Sequence, residues 1–141
     1  MNQQEIRGFK LFVGRAACAT CHSAPNFTDD GFHNIGLKSF GDSEPDLGRY
    51  AQRPLKLMKG AFKTPTLRDI TRTGPYFHDG SATTLEEVID HYAEGGVIKT
   101  NLSPNMKKLE LCGSEKEELL AFMKALTSPY VHISLPKLPP N

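Results

Sequence analysis

Apolar residues recur with helical spacing near the start of the chain. Ile6, Phe9 and Val13 stand at positions i, i+3 and i+7, a spacing that places side chains on one face of an α-helix. This pattern predicts a short amphipathic helix over residues 3–13. Gly8 lies on the neighbouring flank, where the missing side chain allows another element to approach closely.

Two further segments carry both a helix start signal and an apolar face. The first begins with the capping-box sequence Thr84-Leu85-Glu86-Glu87, and the second with Ser114-Glu115-Lys116-Glu117. The first should stop at Gly95-Gly96 and the second before Ser128-Pro129. The residues predicted to face the interior are Leu85, Val88, Ile89 and Tyr92 in the first helix, and Leu119, Leu120, Met123 and Leu126 in the second, with Phe122 beside them.

The long segment between Ser23 and Thr83 has no extended periodic pattern and is interrupted by five prolines. Single helical turns are predicted at Thr64–Arg68, with Thr64 as N-cap, and near residues 46–53. No strand pair joined by a hairpin turn is visible. So much irregular chain is unusual inside a compact domain. A large apolar prosthetic group would give these loops a surface to wrap and would replace the missing core.

Length and charge exclude several classes of protein. The 141 residues fit one domain, 1–141, with residues 128–141 as an extended proline-rich tail. Seventeen Lys and Arg against sixteen Asp and Glu give a net charge of +1, so no overall field favours nucleic acid or an anionic membrane surface. Apolar runs are only a few residues long, so no membrane span is predicted. The N-terminus lacks the pattern of a secretion signal.

The cysteines carry the clearest chemical signal. Cys18-Ala19-Thr20-Cys21-His22 is a C-x-x-C-H sequence, the attachment signature of a c-type haem. Each cysteine can form a thioether with one haem vinyl group, and the adjacent histidine is placed to ligate the iron. A zinc site would need a second ligand pair, and a thiol redox pair usually lies in a βαβ unit; neither is present. Cys112 stands alone and is expected to be a buried, unreactive thiol.

The sixth iron ligand remains open on the sequence alone. Methionine would raise the reduction potential and suit simple electron transfer, whereas an open or tyrosine-occupied position changes the chemistry. Tyr92 lies on the predicted buried face of its helix, where it is equally compatible with a packed core tyrosine. The candidates are Tyr92, Met58, Met106, His33, His78, His91 and His132.

The order of several short motifs resembles a known family. After the haem motif come Phe27-Thr28-Asp29, Phe32-His33-Asn34, Asp46-Leu47-Gly48-Arg49, Phe62-Lys63-Thr64-Pro65-Thr66-Leu67-Arg68, Thr73-Gly74-Pro75-Tyr76-Phe77-His78-Asp79-Gly80-Ser81 and Thr84-Leu85-Glu86-Glu87-Val88-Ile89. From about Gly8 to Thr127, the chain resembles the C-terminal haem domain of the bacterial dihaem cytochrome c peroxidase and MauG family. The resemblance implies an all-α, cytochrome c-like fold: three main helices with long loops wrapped around one covalently bound haem c.

The resemblance also implies particular contacts and ligands. The first and last helices would cross near Gly8, Phe12, Leu119 and Phe122. His22 would be the proximal iron ligand. Tyr92 stands where the peroxidase branch has a methionine ligand and the MauG branch a tyrosine ligand, which makes it the expected distal ligand here. Arg49 and His78 would hydrogen-bond the haem propionates or their surroundings. The backbone carbonyls of Thr73 and Pro75 would contribute to a calcium ion between two haem domains.

Family members carry a second haem domain with its own C-x-x-C-H, whereas this sequence contains the motif once. We therefore expect a mono-haem cytochrome domain that handles electrons in a cytochrome c peroxidase or MauG-like system. A redox partner protein, or a second haem domain or subunit, would supply the rest. The alternative is a haem peroxidase that reduces hydrogen peroxide directly at an open iron. Covalent haem attachment implies a periplasmic location, with the export signal absent from this chain.

Overall fold

The computed structural model describes residues 1–130 and is mainly helical. The elements, in chain order, are α1 (Gln3–Val13), β1 (Phe32–His33), β2 (Phe62–Lys63), α2 (Leu85–Ala93) and α3 (Gly113–Ala125). Five short 3-10 helices lie between them, at Cys18–Thr20, Lys38–Gly41, Arg49–Ala51, Lys56–Met58 and Ile70–Arg72. The two short strands pair antiparallel, with Phe32 opposite Lys63 and His33 opposite Phe62.

All three predicted helices are confirmed, and α2 is capped as the sequence indicated. In α2 the Thr84 hydroxyl accepts from the Glu87 N–H while the Glu87 carboxylate returns to the Thr84 N–H. α1 begins in the same way at the N-cap Asn2, whose capping box with Glu5 is complete. Each box satisfies N–H groups that the first helical turn leaves without partners.

The predicted N-cap of α3, Ser114, is wrong by two residues. The helix begins at Gly113 with Cys112 as its N-cap, because Glu115 reaches back 2.9 Å to the Cys112 N–H. This also corrects the expectation for Cys112 itself. Its thiol is exposed beside the Ser114 hydroxyl, not buried.

α1 crosses α3 through the glycine that the sequence marked for close approach. A Cβ built on Gly8 would overlap the Glu118 carbonyl oxygen and would lie 2.9 Å from the Phe122 Cβ. Gly8 and Phe12 therefore form the buried face of α1. The predicted face is rotated from this one: Phe9 and Val13 are 41% and 50% exposed. The close backbone contact at Gly8, together with the buried Phe12 ring, sets the orientation of the helix.

Three phenylalanines form the centre of the core. The Phe12 ring lies 5.0 Å from that of Phe122 and 6.0 Å from that of Phe27, and Phe27 and Phe122 are 6.1 Å apart. These tilted and edge-on geometries are favourable for aromatic pairs. The buried residues that extend this core are Leu67, Ile70, Leu85, Ile89, Leu119, Met123 and Leu126. Loop 23–30 thus joins both crossing helices in one core.

The predicted helical turn at Thr64–Arg68 is wrong. The short helix forms later, at Ile70–Arg72. Residue 64 is instead held in extended chain, because its N–H donates to the Gly31 carbonyl and its own carbonyl accepts from the Thr28 hydroxyl. The turn near residues 46–53 is confirmed as Arg49–Ala51.

None of the helices within residues 1–130 has the length and apolar character that a membrane crossing requires. The predicted tail begins with Ser128, and residues 128–130 have no regular structure. The rest of that tail, residues 131–141, lies outside the described residues.

Candidate functional site

A cavity of about 620 Å³ lies beside the core, bounded by all three helices and by the loops between them. Its size falls within the range of pockets that enclose a cofactor or drug-sized molecule. Most of the wall is apolar, with Leu37, Phe40, Phe62, Leu67, Val88 and Ile89 among its residues. The irregular middle of the chain therefore wraps a space and does not form a solid core.

Both cysteines of the C-x-x-C-H sequence line this cavity. They lie at the two ends of a single 3-10 turn that follows Ala17, whose φ is +52°. Burial raises the pKa of the Cys18 thiol to about 11, and burial also raises the pKa of the Cys21 thiol. The Cys21 sulfur has the Asn105 amide 3.9 Å away. The turn thus presents two protonated thiols from one side of the cavity.

His22 follows on the same wall with one ring nitrogen already engaged. Its Nδ1 lies 2.9 Å from the Phe27 carbonyl oxygen, so Nδ1 carries the proton and Nε2 is the nitrogen left to bind a metal. Burial lowers the pKa of this imidazole, which favours the neutral, ligating form. A backbone carbonyl bonded to the far nitrogen is the usual way in which proteins orient a ligating histidine.

Tyr92 reaches the same cavity from the last turn of α2. Its ring packs against Phe77 at 6.5 Å and against His91 at 5.7 Å. Tyr92 is half-buried, and within residues 1–130 its hydroxyl makes no hydrogen bond. Burial raises the pKa of this phenol, and the Cys18 and Cys21 thiols raise it further. The cavity therefore has two thiols and an imidazole from one segment and a phenol from another.

Comparison with known proteins identifies the family. No protein-family model matches the chain. The methylamine utilization protein MauG of Methylorubrum extorquens is 47% identical over 133 residues, which are 94% of this chain. The cytochrome c551 peroxidase of Nitrosomonas europaea is 34% identical in an alignment of 142 positions that covers 100% of this chain. The crystal structure of a MauG-like protein associated with microbial copper homeostasis superimposes with a TM-score of 0.83 over 92% of this chain, at 35% identity.

The chain belongs to the bacterial dihaem cytochrome c peroxidase and MauG family. It spans 37% of the MauG protein, 39% of the peroxidase and 48% of the MauG-like structure. Less than half of each relative is therefore represented here.

The family resemblance also implied roles for Thr73, Pro75, His78 and Arg49, and three of these four residues line the cavity. Thr73, Pro75 and His78 line the cavity, and the His78 ring stacks on that of Phe62 with centroids 3.4 Å apart. Arg49 does not line it: its guanidinium is exposed and lies 4.7 Å from the centre of the Phe32 ring. The roles expected for these four residues in this family domain stay predictions.

The other residues considered as the sixth iron ligand differ in whether they line the cavity. Met106 and His33 line the cavity, whereas Met58 does not. His91 Nε2 donates to the Ile35 carbonyl oxygen at 2.9 Å, so that nitrogen is occupied. His132 lies outside the described residues.

The sequence does not predict one hydrogen-bonded group near the cavity, which is formed by His33, Asp29 and Ser103. His33 binds the Asp29 carboxylate through Nε2 at 2.8 Å and the Ser103 hydroxyl through Nδ1 at 3.3 Å. Asp29 also accepts from the Gly31 N–H. Burial alone would raise the pKa of Asp29, but the His33 and Gly31 hydrogen bonds hold it below its ordinary value. Asp29 and His33 both belong to the short family motifs, but no periodic pattern in the sequence predicts that their side chains are in contact.

The Cys21 sulfur lies close to this pair. The ligating atoms of Cys21, Asp29 and His33 all lie within 4.8 Å of one another. Because Cys21 belongs to the C-x-x-C-H sequence and its carbonyl accepts from the Asp29 N–H at 2.7 Å, the His33–Asp29 pair lies directly beside that turn.

The residues present fit a covalently held haem. The cavity is apolar and large, as a flat aromatic macrocycle requires. Two protonated thiols stand at C-x-x-C spacing, and an adjacent imidazole has its far nitrogen fixed by a carbonyl. The phenol on α2 is a further oxygen donor facing the same space.

Proposed function

We propose that this chain is a mono-haem c-type cytochrome domain that handles electrons in a cytochrome c peroxidase or MauG-like system. Cys18 and Cys21 anchor one haem c, His22 is the proximal ligand and Tyr92 the distal ligand. The observation that supports this best is the convergence of all four side chains on one apolar cavity, with His22 Nδ1 bonded to Phe27 and the Tyr92 hydroxyl without a partner in residues 1–130.

The bound haem supplies one-electron chemistry at its iron. Cys18 and Cys21 would hold the haem through thioether bonds to its two vinyl groups, a net addition of each S–H that needs no oxidant. Burial raises the pKa of both thiols, so both are protonated at neutral pH. His22 contributes the Nε2 lone pair, and the Phe27 carbonyl holds its ring against rotation.

Tyr92 distinguishes this domain from a simple electron shuttle. An oxygen donor is harder than the thioether of methionine, so it lowers the reduction potential and favours higher oxidation states of the metal. Phe77 and His91 pack on two sides of the Tyr92 ring and restrict its movement. The domain is therefore suited to holding oxidising equivalents.

The partner follows from the length comparison. Since the chain spans less than half of each relative, we infer that a redox protein, or a second haem domain or subunit, completes the electron path. The exposed Thr73 and Pro75 would offer backbone carbonyls to a calcium ion at that junction, because oxygen ligands suit this hard cation. Covalent haem attachment favours a periplasmic location.

A second candidate function is peroxide reduction at an open iron. This alternative has support because His33 and His78 line the same cavity and His33 is hydrogen-bonded to Asp29. An imidazole held by a carboxylate is suited to proton transfer during bond cleavage.

The absorption and EPR spectra of the ferric protein, before and after hydrogen peroxide, test both functions. We expect a six-coordinate spectrum without a methionine–iron charge-transfer band, unchanged by peroxide. Tyr92→Phe should alter this spectrum. The matched control is Tyr76→Phe, because Tyr76 also lines the cavity but its hydroxyl donates to the Ile70 carbonyl.

An unchanged Tyr92→Phe spectrum would exclude Tyr92 as a ligand. A five-coordinate high-spin wild-type spectrum that changes on addition of peroxide would favour the second function.

A further inference from the structure

Basic residues are concentrated in one part of a chain that is otherwise balanced in charge. Residues 47–68 contain no Asp or Glu, although the whole chain has a net charge of only +1. The basic residues in this stretch are Arg49, Arg53, Lys56, Lys59, Lys63 and Arg68. A local excess of one sign creates a field that guides oppositely charged partners.

Three of the six basic side chains are engaged within the domain. Lys63 pairs with Asp30 at 2.6 Å, Arg49 lies over the Phe32 ring, and Arg68 lies over the Phe27 ring. The remaining three are Arg53, Lys56 and Lys59. All three are exposed, and their side chains form no ion pair or hydrogen bond with any residue in 1–130.

Two exposed leucines alternate with these free cations. Leu55 is 48% exposed and Leu57 is 76% exposed, and they lie between Arg53 and Lys59 on one short loop. We refer to residues 53–59 as the leucine loop. Single exposed apolar residues are common, but two exposed leucines that alternate with unpaired cations on one loop combine the apolar and polar groups from which small interfaces are built.

The leucine loop is held in place by the rest of the domain. The Asn101 side-chain amide donates to the Lys56 carbonyl at 2.9 Å and to the Lys59 carbonyl at 2.8 Å. The buried Asn34 also donates to the Lys59 carbonyl. The exposed leucines are therefore preorganised, which lowers the conformational entropy lost on binding.

The loop leads directly into the cavity wall. Gly60 follows Lys59 and lines the cavity, as do Phe62 and Asn34. Gly60 has φ +71°, and a Cβ there would overlap the Phe40 ring. A protein bound to the leucine loop would thus rest against the wall of the site that is proposed to hold the haem.

We propose that the leucine loop docks an acidic redox protein whose apolar contact patch is surrounded by carboxylates. This inference rests on the proposed function and names the chemistry of its partner. In the docked pair one electron passes from the reduced partner to the oxidised domain, and no bond forms or breaks. The small patch suits a weak, short-lived complex, which is typical of electron-transfer encounters. The cations mainly accelerate encounter, and the leucines mainly slow dissociation.

The test uses the haem-loaded chain and two purified probes, an acidic c-type cytochrome and a basic one. Binding is measured by NMR titration, and electron exchange by stopped flow. Leu57→Ser and Lys56→Glu should each weaken binding of the acidic cytochrome at least about fivefold. Affinity of the wild type should fall with added salt, and Lys56→Glu should reduce that dependence.

Two matched controls lie elsewhere on the surface. Val97 is 55% exposed, so Val97→Ser removes a comparable apolar side chain, and Lys10→Glu inverts an exposed cation on α1. Both should bind the acidic cytochrome as the wild type does. Equal binding by all four variants would overturn the proposal, as would a preference for the basic cytochrome. Self-association or binding to anionic vesicles that depends on Leu57 would also overturn it.

Failure of this proposal is distinguishable from failure of the proposed function. If the iron ligands are assigned wrongly, the ferric spectrum will differ from the expected one while NMR binding still depends on Leu57. If docking is assigned wrongly, the spectrum and its Tyr92→Phe response remain as expected while binding is unaffected by Leu57→Ser.

Discussion

His91 Nε2 donates a hydrogen bond to the Ile35 carbonyl oxygen at 2.9 Å. This bond joins the end of α2 to the chain that follows β1. The next residue in that chain, Gly36, accepts at its carbonyl from the N–H groups of Val97 and Ile98. The turn after α2 is thus fixed to the opposite loop by three hydrogen bonds, and Tyr92 lies next to the first of them.

Replacing His91 should disturb both stability and the site. His91→Ala leaves the Ile35 carbonyl without its donor and removes a ring that packs on Tyr92, so we expect unfolding to become easier by about 1–3 kcal/mol. The ferric spectrum should change with it, because the Tyr92 ring loses one of its two supports. His91→Gln keeps an N–H donor and should recover part of both effects. Denaturant unfolding and absorption spectra measure them. A wild-type spectrum in His91→Ala would show that His91 does not position Tyr92.

We expect covalent haem attachment to depend on Cys18 and Cys21 and to be independent of Cys112. Cys18→Ala combined with Cys21→Ala removes both thiols that line the cavity, so the denatured chain should lose its haem on a haem-stained denaturing gel. Cys112→Ala is the control, because that thiol is exposed at the start of α3 and does not line the cavity. Haem retained by the double variant would exclude thioether attachment at these cysteines.

The helices were predictable because their signals are local. The capping box at Thr84 and the apolar spacing over 85–92 depend only on neighbours in the sequence, and α2 formed at Leu85–Ala93. The apolar spacing of α1 did not predict which of its faces is buried. That face is set by the close contact of Gly8 with Glu118 on α3, a residue more than a hundred positions away.

The loops could not be predicted in the same way. Thr64 is held extended by Thr28 and Gly31, and His33 meets both Asp29 and Ser103. These contacts are long-range or irregular, so they leave no periodic trace in the sequence. The C-x-x-C-H motif, however, predicted that these loops would surround a cavity, because a bound prosthetic group would replace the missing apolar core.

The close contact between α1 and α3 predicts that replacing Gly8 with alanine lowers the stability of the domain. In an isolated helix Gly→Ala is stabilising by about 1 kcal/mol, but at Gly8 the added methyl group would overlap the Glu118 carbonyl oxygen. We expect Gly8→Ala to destabilise the domain by about 1–3 kcal/mol, the usual cost of overpacking. Gly113→Ala is the control, since a methyl group added there would have nothing within 4 Å. Thermal or denaturant unfolding compares them. A Gly8→Ala variant as stable as Gly113→Ala would contradict the crossing.

The capping box of α2 predicts a pH dependence of stability. The backbone N–H groups of Thr83 and Thr84, and then the Thr83 hydroxyl, hold the pKa of Glu87 below its ordinary value. As the pH falls, the unfolded chain takes up this proton first, so between the two pKa values the unfolded state binds more protons and the folded state loses stability. The contribution is complete above the ordinary carboxyl pKa of about 4.3 and is lost once the pH passes below the folded-state pKa.

Glu87→Gln should therefore be less stable than the wild type at pH 7, and the difference should shrink as the pH is lowered through the acidic range. Denaturant unfolding of both proteins at a series of pH values measures this difference. Glu86→Gln is the matched control on the same helical turn, because Glu86 makes none of the hydrogen bonds to Thr83 and Thr84. The prediction fails if the Glu87→Gln difference is constant with pH, or if Glu86→Gln shows the same pH profile, because the carboxylate in the capping box would then not be the group that titrates.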